Sequence, residues 1–291
     1  MQILELLNSH PSAFVIISVI FGLVVGSFLN VVIFRLPVML QKEWRQQCEE
    51  FLELQATEEA SRYNLIKPDS TCPHCDHKIR AWENIPVLSY LFLRGKCSSC
   101  KKKISPRYPI IELVCGLMTG FTAWHFGFGL TALAAMVLTW VLITLSMIDY
   151  DTKLLPDTIT LPVLWLGILL NLYGVFTTLE NSVIGAIAGY LSLWSIYQVH
   201  HFFTGREGMG FGDFKLLALL GAWFGWQSLL MIVLLSSLVG AIVGISLILI
   251  MGRDRLLPIP FGPYLAAAGW ISLIWGDQLL SMYIGVSGLQ P

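Results

Sequence analysis

The stretch Gly208-Met209-Gly210-Phe211-Gly212-Asp213-Phe214-Lys215 places one carboxylate in a glycine-dense turn, directly before an apolar run. Ionisable side chains at a membrane edge are costly and usually functional, so Asp213 is a candidate site residue. A second acid, Asp149 in Ile148-Asp149-Tyr150-Asp151, ends an apolar run about sixty residues earlier. Asp149 and Asp213 are therefore the candidate functional pair.

The composition around this stretch is that of a membrane protein. Of 291 residues, 55% are hydrophobic and 13% are charged, against about 25% charged in soluble proteins. The first apolar run has 21 residues, which matches the roughly 20 that span a bilayer. We predict an all-α polytopic membrane protein with about eight transmembrane helices, at 14–34, 110–128, 130–148, 158–176, 183–203, 214–226, 228–251 and 261–275.

The distribution of charge predicts an orientation. Of 18 Lys and Arg residues, 12 lie between Pro37 and Arg107, together with nine of the 19 acids. Basic loops tend to stay in the cytoplasm. If the spans alternate, the other Lys and Arg residues fall at or near the same face as this polar insert. We therefore expect the N-terminus to lie outside the cytoplasm and Asp149 and Asp213 to share the cytoplasmic membrane edge.

The insert contains two cysteine pairs, Cys72-Pro73-His74-Cys75 and Cys97-Ser98-Ser99-Cys100, with 21 residues between them. This spacing is typical of a zinc ribbon, in which four thiolates close a structural site. Two disulfides are the alternative, but the cytoplasm keeps thiols reduced. His74 and His77 are alternative ligands that we expect to be surface histidines. The sequence predicts Zn²⁺ bound by Cys72, Cys75, Cys97 and Cys100, with a folding role.

Paired acids suit the hydrolysis of a peptide bond. Two carboxylates in a partly desolvated site do not easily ionise together, so one stays protonated while the other acts as a base. The protonated acid donates to the peptide carbonyl and the ionised acid takes a proton from water. We place Asp151 outside the pair and expect Asp157 to cap the helix that follows.

Two other functions use the same features. A proton-coupled transporter would relay protons through Asp149 and Asp213, but it predicts acids spread through the membrane depth, where the apolar runs have few. A membrane-anchored zinc-ribbon adaptor would leave the paired acids without a role. Cleavage is therefore the favoured hypothesis.

Taken together, the motifs resemble those of the type IV prepilin peptidases, the bifunctional leader peptidase/N-methyltransferases of bacterial inner membranes. The resemblance covers nearly the whole chain. It rests on Gly26-Ser27-Phe28-Leu29-Asn30-Val31-Val32 with Arg35-Leu36-Pro37, the two cysteine pairs, Asp149 ahead of Leu155-Pro156-Asp157, and Gly210-Phe211-Gly212-Asp213-Phe214-Lys215.

The resemblance implies an aspartic protease of the GxGD type with Asp149 and Asp213 as the catalytic pair. It implies cleavage of the leader of prepilins and pseudopilins, the subunits of type IV pili and type II secretion, after a glycine. It further implies methylation of the new N-terminus with S-adenosylmethionine. Gly95 matches a position that the family associates with methylation, so Gly95 and Lys96 are candidate methyl-donor residues. The sequence has no GxGxxG motif after a strand, so residue chemistry alone does not locate the methyl-donor site.

These expectations give three domains: a first transmembrane helix at 1–36, a cytoplasmic zinc-binding domain at 37–109 and a transmembrane peptidase domain at 110–291. The expected partners are prepilins, pseudopilins and membrane lipid, with no nucleic acid. Among other polar positions, we expect Asn30 to make a helix-packing hydrogen bond. We expect Glu83 and Asn84 to serve a turn or a helix N-cap.

Overall fold

The structure is a computed structural model that describes residues 10–54, 63–205, 208–251 and 259–287. Within these ranges the regular structure is helical, with two isolated β-bridges and no longer strand. The helices are α1 (Pro11–Phe51), a 3₁₀ turn (Ala81–Asn84), α2 (Leu88–Phe92), α3 (Arg107–Phe126), α4 (Leu130–Thr152), α5 (Asp157–Asn171), α6 (Leu179–Thr204), α7 (Phe211–Phe224), α8 (Gln227–Met251) and α9 (Gly262–Ser287).

The predicted all-α class is confirmed, and each of the eight apolar runs coincides with one of the long helices α1 and α3 to α9. Four of the described helices, α1, α4, α6 and α8, are long and apolar enough to cross a membrane. The crossing of the membrane by the other four stays a prediction. The chain divides into two compact units, Met1–Ala132 and Leu133–Pro291.

The first helix differs from the expectation. The first apolar run predicts a membrane helix up to Phe34, and residues 41–61, rich in Glu, Gln and Arg, indicate a separate exposed helix. In the structure, α1 instead runs without a break through Pro37 to Phe51. Proline has a φ angle that suits a helix, and its cost is one lost hydrogen bond and local crowding. Residues 41–50 are largely exposed, as expected. Residues 55–61 of the predicted segment lie outside the described residues.

In the first unit, α1 and α3 pack through glycines spaced four residues apart on both helices. A Cβ added at Gly26 would lie 2.8 Å from the Glu112 Cα, and one added at Gly22 would lie 2.6 Å from the Thr119 Oγ1. Gly116 and Gly120 on α3 face Leu23 and Val19 of α1 in the same way. Small residues let two membrane helices approach closely, and no side chain fits at these points.

In the second unit, α7 is the central helix. Its apolar side chains are buried on every face, and it contacts α5, α6, α8 and α9. A helix that is apolar all round is a buried helix. The approach of α6 is close, because a Cβ at Gly189 would lie 2.6 Å from the Leu217 carbonyl oxygen. At 14 residues α7 is shorter than a membrane span, which its burial within protein allows.

The end of α7 distant from Asp213 is fixed by Asn171, the last residue of α5. The Asn171 Nδ2 donates to the carbonyl oxygens of Ala222 and Trp223 at 2.9 and 3.0 Å. Its Oδ1 accepts from the N–H groups of Phe176 and Thr177 at 3.0 and 3.1 Å. Every polar atom of this buried amide is thereby satisfied, so α7 is held in register with α5.

Candidate functional site

Asp149 lies near the end of α4 and is 5% exposed. Its Oδ2 accepts a hydrogen bond of 2.9 Å from the backbone N–H of Gly262, the first residue of α9. A Cβ at position 262 would lie 2.6 Å from this oxygen. Only glycine therefore permits this contact, which brings a third helix to the site. Gly262 was not predicted as a site residue, although Phe261-Gly262-Pro263 is a turn signal at the start of the last apolar run.

Asp213 is the third residue of α7 and is 8% exposed. Glycines at 208, 210 and 212 in the preceding turn predict close approach of the backbone or positive φ angles. Among the described glycines with positive φ, none belongs to this turn. Close approach is the reason at Gly212, where a Cβ would lie 2.8 Å from the Leu155 Cβ. Gly212 thus lets the start of α7 pack on the loop that follows α4.

The two carboxylates are brought together within the second unit. Asp149 and Asp213 are close enough for their charges to interact, and both are buried. Burial strengthens the repulsion between two like charges, since the surroundings screen it less than water does. Such a pair favours the state in which one carboxyl keeps its proton. Asp151, by contrast, is exposed.

Asp157 does not cap a helix, and this expectation was wrong. Helix α5 begins at Asp157 itself, with Pro156 at the N-cap position and no side-chain cap. The Asp157 carboxylate instead pairs with Lys215, whose Nζ lies 2.8 and 2.7 Å from its two oxygens. This ion pair joins the first turn of α5 to the first turn of α7, two residues after Asp213.

The four predicted cysteine ligands converge. The Sγ atoms of Cys72, Cys75, Cys97 and Cys100 all lie within 4.8 Å of one another. The Cys72–Cys100 and Cys75–Cys97 Sγ distances are 3.9 and 4.0 Å. A tetrahedral zinc with bonds of about 2.3 Å would hold its sulfurs about 3.8 Å apart. The cluster therefore has the dimensions to hold a metal ion, and all four cysteines are free of disulfides.

The two halves of the cluster have the same local structure. We call residues 71–78 the first knuckle and residues 96–103 the second knuckle. The Cys72 N–H donates to the His77 carbonyl at 2.9 Å, and the Cys97 N–H donates to the Lys102 carbonyl at the same distance. Backbone N–H groups of Cys100 and Ser99 lower the pKa of Cys97 to about 6. Lowering the pKa favours the thiolate, which is the form that binds metal.

His77 and Glu83 are partners of each other and not of the thiolate cluster. The His77 Nε2 lies 3.2 Å from the Glu83 Oε2 and 3.2 Å from the Ser98 Oγ. The Glu83 carboxylate also accepts from the Arg80 N–H at 2.8 Å, which closes the 3₁₀ turn as expected for a capping role. The Arg80 N–H, Ser98 and His77 hold the pKa of Glu83 below its usual value.

Gly95 has a structural requirement of its own. Its φ is +65°, and a Cβ there would lie 2.8 Å from the Tyr90 Oη. The residue is buried in the turn after α2, while Lys96 is exposed. Nothing in the geometry of the described residues around Gly95 identifies a nucleoside-binding surface.

Two polar residues make contacts that hold the first unit together: Asn30 joins α1 to α3, and Glu112 joins α3 to the segment before α2. The Asn30 Nδ2 donates to the Tyr108 carbonyl at 3.2 Å, which confirms the expected packing role. Glu112 is buried on α3 and accepts a hydrogen bond of 2.8 Å from the Val87 N–H. In the sequence Glu112 is an acid near the start of an apolar run, and its contact with Val87 was not predicted.

Comparison with known families accounts for most of the chain. The family described as "Bacterial Peptidase A24 N-terminal domain" matches residues 20–126. The family described as "Type IV leader peptidase family" matches residues 136–245, which include Asp149 and Asp213. No solved structure matches the chain.

Relatives match over nearly the full length. A protein of Stutzerimonas stutzeri is 56% identical over 280 residues, covering 96% of this chain and 97% of the relative. One of Pseudomonas aeruginosa is 52% identical over 290 residues, covering all of both chains, and one of Neisseria gonorrhoeae is 48% identical over 264 residues, covering 90% and 91%. Each is named "Prepilin leader peptidase/N-methyltransferase". From its motifs, its buried acid pair and these matches, the chain belongs to the type IV leader peptidase family.

Proposed function

We propose that this chain cleaves the leader peptide of prepilins and pseudopilins through Asp149 and Asp213, and then methylates the new N-terminus. The observation that carries the proposal is the buried pair of interacting carboxylates at the ends of α4 and α7. The names of the full-length relatives supply the substrate class and the second activity.

Asp149 acts as the base in the first step. The Gly262 N–H, at the positive end of the α9 dipole, stabilises the ionised Asp149 carboxylate. Asp149 takes a proton from water as the water oxygen adds to the scissile carbonyl carbon. Asp213 begins protonated and donates to the carbonyl oxygen. As the C–N bond breaks, Asp149 gives its proton to the leaving nitrogen and Asp213 takes a proton from a hydroxyl of the tetrahedral intermediate, which restores the starting state.

The cysteine cluster holds Zn²⁺ in a structural role. Four thiolates fill a tetrahedral coordination sphere, so no position stays open for water or substrate. The sulfur distances, all within 4.8 Å, support this assignment. Zinc bound there stabilises the insert, which comprises the zinc-binding domain at 37–109 between the first helix at 1–36 and the peptidase domain at 110–291.

Methylation requires S-adenosylmethionine, and Gly95 and Lys96 are its proposed neighbours on the strength of the resemblance. The close packing of Gly95 against Tyr90 is by itself a reason for glycine at this position, so the glycine is not evidence of a ligand. We therefore derive no step through the methyl donor.

The protein lies in the bacterial inner membrane with its N-terminus in the periplasm. The zinc-binding domain and the paired acids face the cytoplasm, where Lys and Arg are retained. The clustering of 12 of the 18 Lys and Arg residues between Pro37 and Arg107 supports this orientation.

The test incubates the purified full-length protein with a prepilin-type peptide and S-adenosylmethionine and weighs the products. We expect one cut after the glycine, followed by a gain of one methyl group on the new N-terminus. An uncut peptide would overturn the proposed peptidase, and proton flux into liposomes without cleavage would favour the transporter. A cut product that gains no methyl group would overturn only the second activity.

A further inference from the structure

The short helix α2 lies beside the apolar part of α3. Its preceding residue, Val87, donates its N–H to the Glu112 Oε2 at 2.8 Å. Glu112 is five residues beyond Arg107, the first residue of α3, which is about 7.5 Å along the helix axis. Because Glu112 is buried, this hydrogen bond fixes the start of α2 at that level. The segment is therefore held beside α3, beyond the first turn of that helix.

The segment exposes large apolar side chains at this level. Leu88, Leu91 and Phe92 are 51%, 63% and 80% exposed. Ile85 and Trp82, on the chain just before, are exposed as well. Single exposed apolar residues are ordinary, but Leu88, Leu91 and Phe92 stand at i, i+3 and i+4 on α2 and therefore share one face of that helix. Since we predict that α3 crosses the membrane, the lipid of the interface is the apolar phase available to cover these side chains.

A strongly basic stretch follows α2 along the chain. Residues 84–111 contain six Lys and Arg residues and no acid. Lys96 and Lys103 face each other across an antiparallel bridge of the second knuckle, so their side chains share one face. Like charges in such a pair destabilise the structure unless an anion lies between them. In the part of the chain that the structure describes, no carboxylate pairs with Lys96 or Lys103.

The first knuckle provides an internal comparison, because it has the same backbone structure and a different charge. Its bridge joins Thr71 to Lys78, and Lys78 pairs with Asp69 at 3.1 Å. Residues 69–83 contain three acids, Asp69, Asp76 and Glu83, and two basic residues, Lys78 and Arg80. Since the shared fold does not require the basic charge, the excess in the second knuckle points to an anionic partner outside the chain.

We propose that residues 85–103 form a membrane-docking surface for anionic phospholipid. The apolar side chains of 85–92 enter the bilayer interface, and the second-knuckle cations contact the headgroup phosphates. Basic residues next to a membrane helix attract anionic lipid, and apolar side chains beside them add burial. The surface ties the zinc-binding insert to the membrane plane. This inference does not depend on the proposed peptidase or methyltransferase activity.

The test replaces Phe92 with the photo-crosslinker p-benzoylphenylalanine in the full-length protein. The protein is placed in phosphatidylcholine nanodiscs with or without phosphatidylglycerol, irradiated and examined by mass spectrometry. The same replacement at Ser70, an exposed residue next to the first knuckle, is the positional control. We expect a phospholipid adduct at position 92 that is more abundant with phosphatidylglycerol, and little adduct at position 70.

Charge variants test the electrostatic part. Arg94→Gln, Lys101→Gln and Lys103→Gln together should reduce the adduct at position 92 by about fivefold or more. The matched control, Lys67→Gln, Lys78→Gln and Arg80→Gln, removes the same number of charges and should leave it unchanged. The zinc content of each variant is measured to check that the insert is folded. If the Arg94, Lys101 and Lys103 variant loses zinc, the parent protein is crosslinked at high salt instead, because salt screens the same electrostatic contacts.

Three results would overturn the proposal. The first is the absence of a lipid adduct at position 92 in both kinds of nanodisc. The second is an adduct whose yield is the same with and without phosphatidylglycerol, or one whose yield is changed neither by the charge variant nor by high salt. The third is a crosslink from position 92 to the protein itself in place of lipid, because the apolar surface would then be covered by the chain.

Discussion

At the scale of single residues, the contact between Gly262 and Asp149 is the most demanding feature of the site. The Gly262 N–H lies 2.9 Å from the carboxylate oxygen, and the space beside it is too small for a methyl group. The contact fixes one oxygen of Asp149 and leaves the other for water. Gly262 therefore acts as a positioning residue for the proposed base.

Gly262→Ala should lower the cleavage rate with little effect on substrate binding. A Cβ at 2.6 Å from the Asp149 Oδ2 forces the carboxylate or α9 to shift, and misplacement by about 1 Å typically costs about a hundredfold in rate. We expect kcat to fall and KM to change little in a steady-state peptide assay.

Gly276→Ala is the matched control in the same helix, because a Cβ there would meet only the Ser272 Oγ at 3.4 Å. It should retain activity close to that of the parent protein. A Gly262→Ala protein with unchanged kcat would show that Asp149 does not need this contact.

The burial of Asp149 and Asp213 agrees with their prediction as a pair, while their catalytic role stays a prediction. An acid beside an apolar run is visible in the sequence, so Asp149 and Asp213 could be paired from their positions along the chain. Gly262 lies 113 residues from Asp149, and a backbone donor leaves no side-chain signature. Asp157 looked like a capping residue because Asp is common there, and its partner Lys215, on another helix, was not predictable from local pattern.

At the scale of helices, the first turns of α5 and α7 are joined by Asp157 and Lys215. The Lys215 and Asp157 side chains are 29% and 51% exposed, so the pair is partly screened. Pairs of this kind contribute at most about 1 kcal/mol. Because Asp213 precedes Lys215 by two residues, the ion pair helps to set the angle at which α7 enters the site.

A double-mutant cycle with Asp157→Asn and Lys215→Gln should give a coupling energy of about 0.5 kcal/mol in the free energy of unfolding. Each single variant should lose about as much stability as the double variant, since either change breaks the same pair. Asp69 and Lys78, whose side chains are 65% and 77% exposed, form the control pair and should couple more weakly. Strictly additive losses for Asp157 and Lys215 would show that their contact does not stabilise the protein.

The cysteine module is the second feature at this scale. Its two knuckles are held by few backbone hydrogen bonds and little apolar burial, so metal binding supplies much of its folding free energy. Chelation of zinc from the full-length protein should raise amide hydrogen exchange across residues 69–107 and leave the buried helix α7 protected.

Cys48→Ser is the control for this experiment, because Cys48 is exposed on α1 and outside the thiolate cluster. It should not change zinc content. An insert that stays fully protected after complete zinc removal would contradict the structural role of the metal.

At the scale of the whole molecule, hydropathy located the eight long helices because each must be apolar over most of its length. The same pattern does not reveal how helices are arranged. It predicted α7 only as one transmembrane span at 214–226, whereas burial among four neighbouring helices makes α7 the core of its unit. The continuation of α1 through Pro37 was not predicted either, because proline usually marks the end of a helix. Tertiary contacts can outweigh such a local preference, and they are not visible in the hydropathy pattern.

The central claim is that Asp149 and Asp213 together carry out peptide hydrolysis. The most direct measurement is the cleavage rate of a prepilin-type peptide by Asp149→Asn, Asp213→Asn and Asp151→Asn proteins of matched zinc content. Loss of either member of the acid–base pair should lower the rate by at least about a thousandfold, while Asp151→Asn, at an exposed position, should cleave normally. Near-normal cleavage by either the Asp149→Asn or the Asp213→Asn protein would contradict the claim.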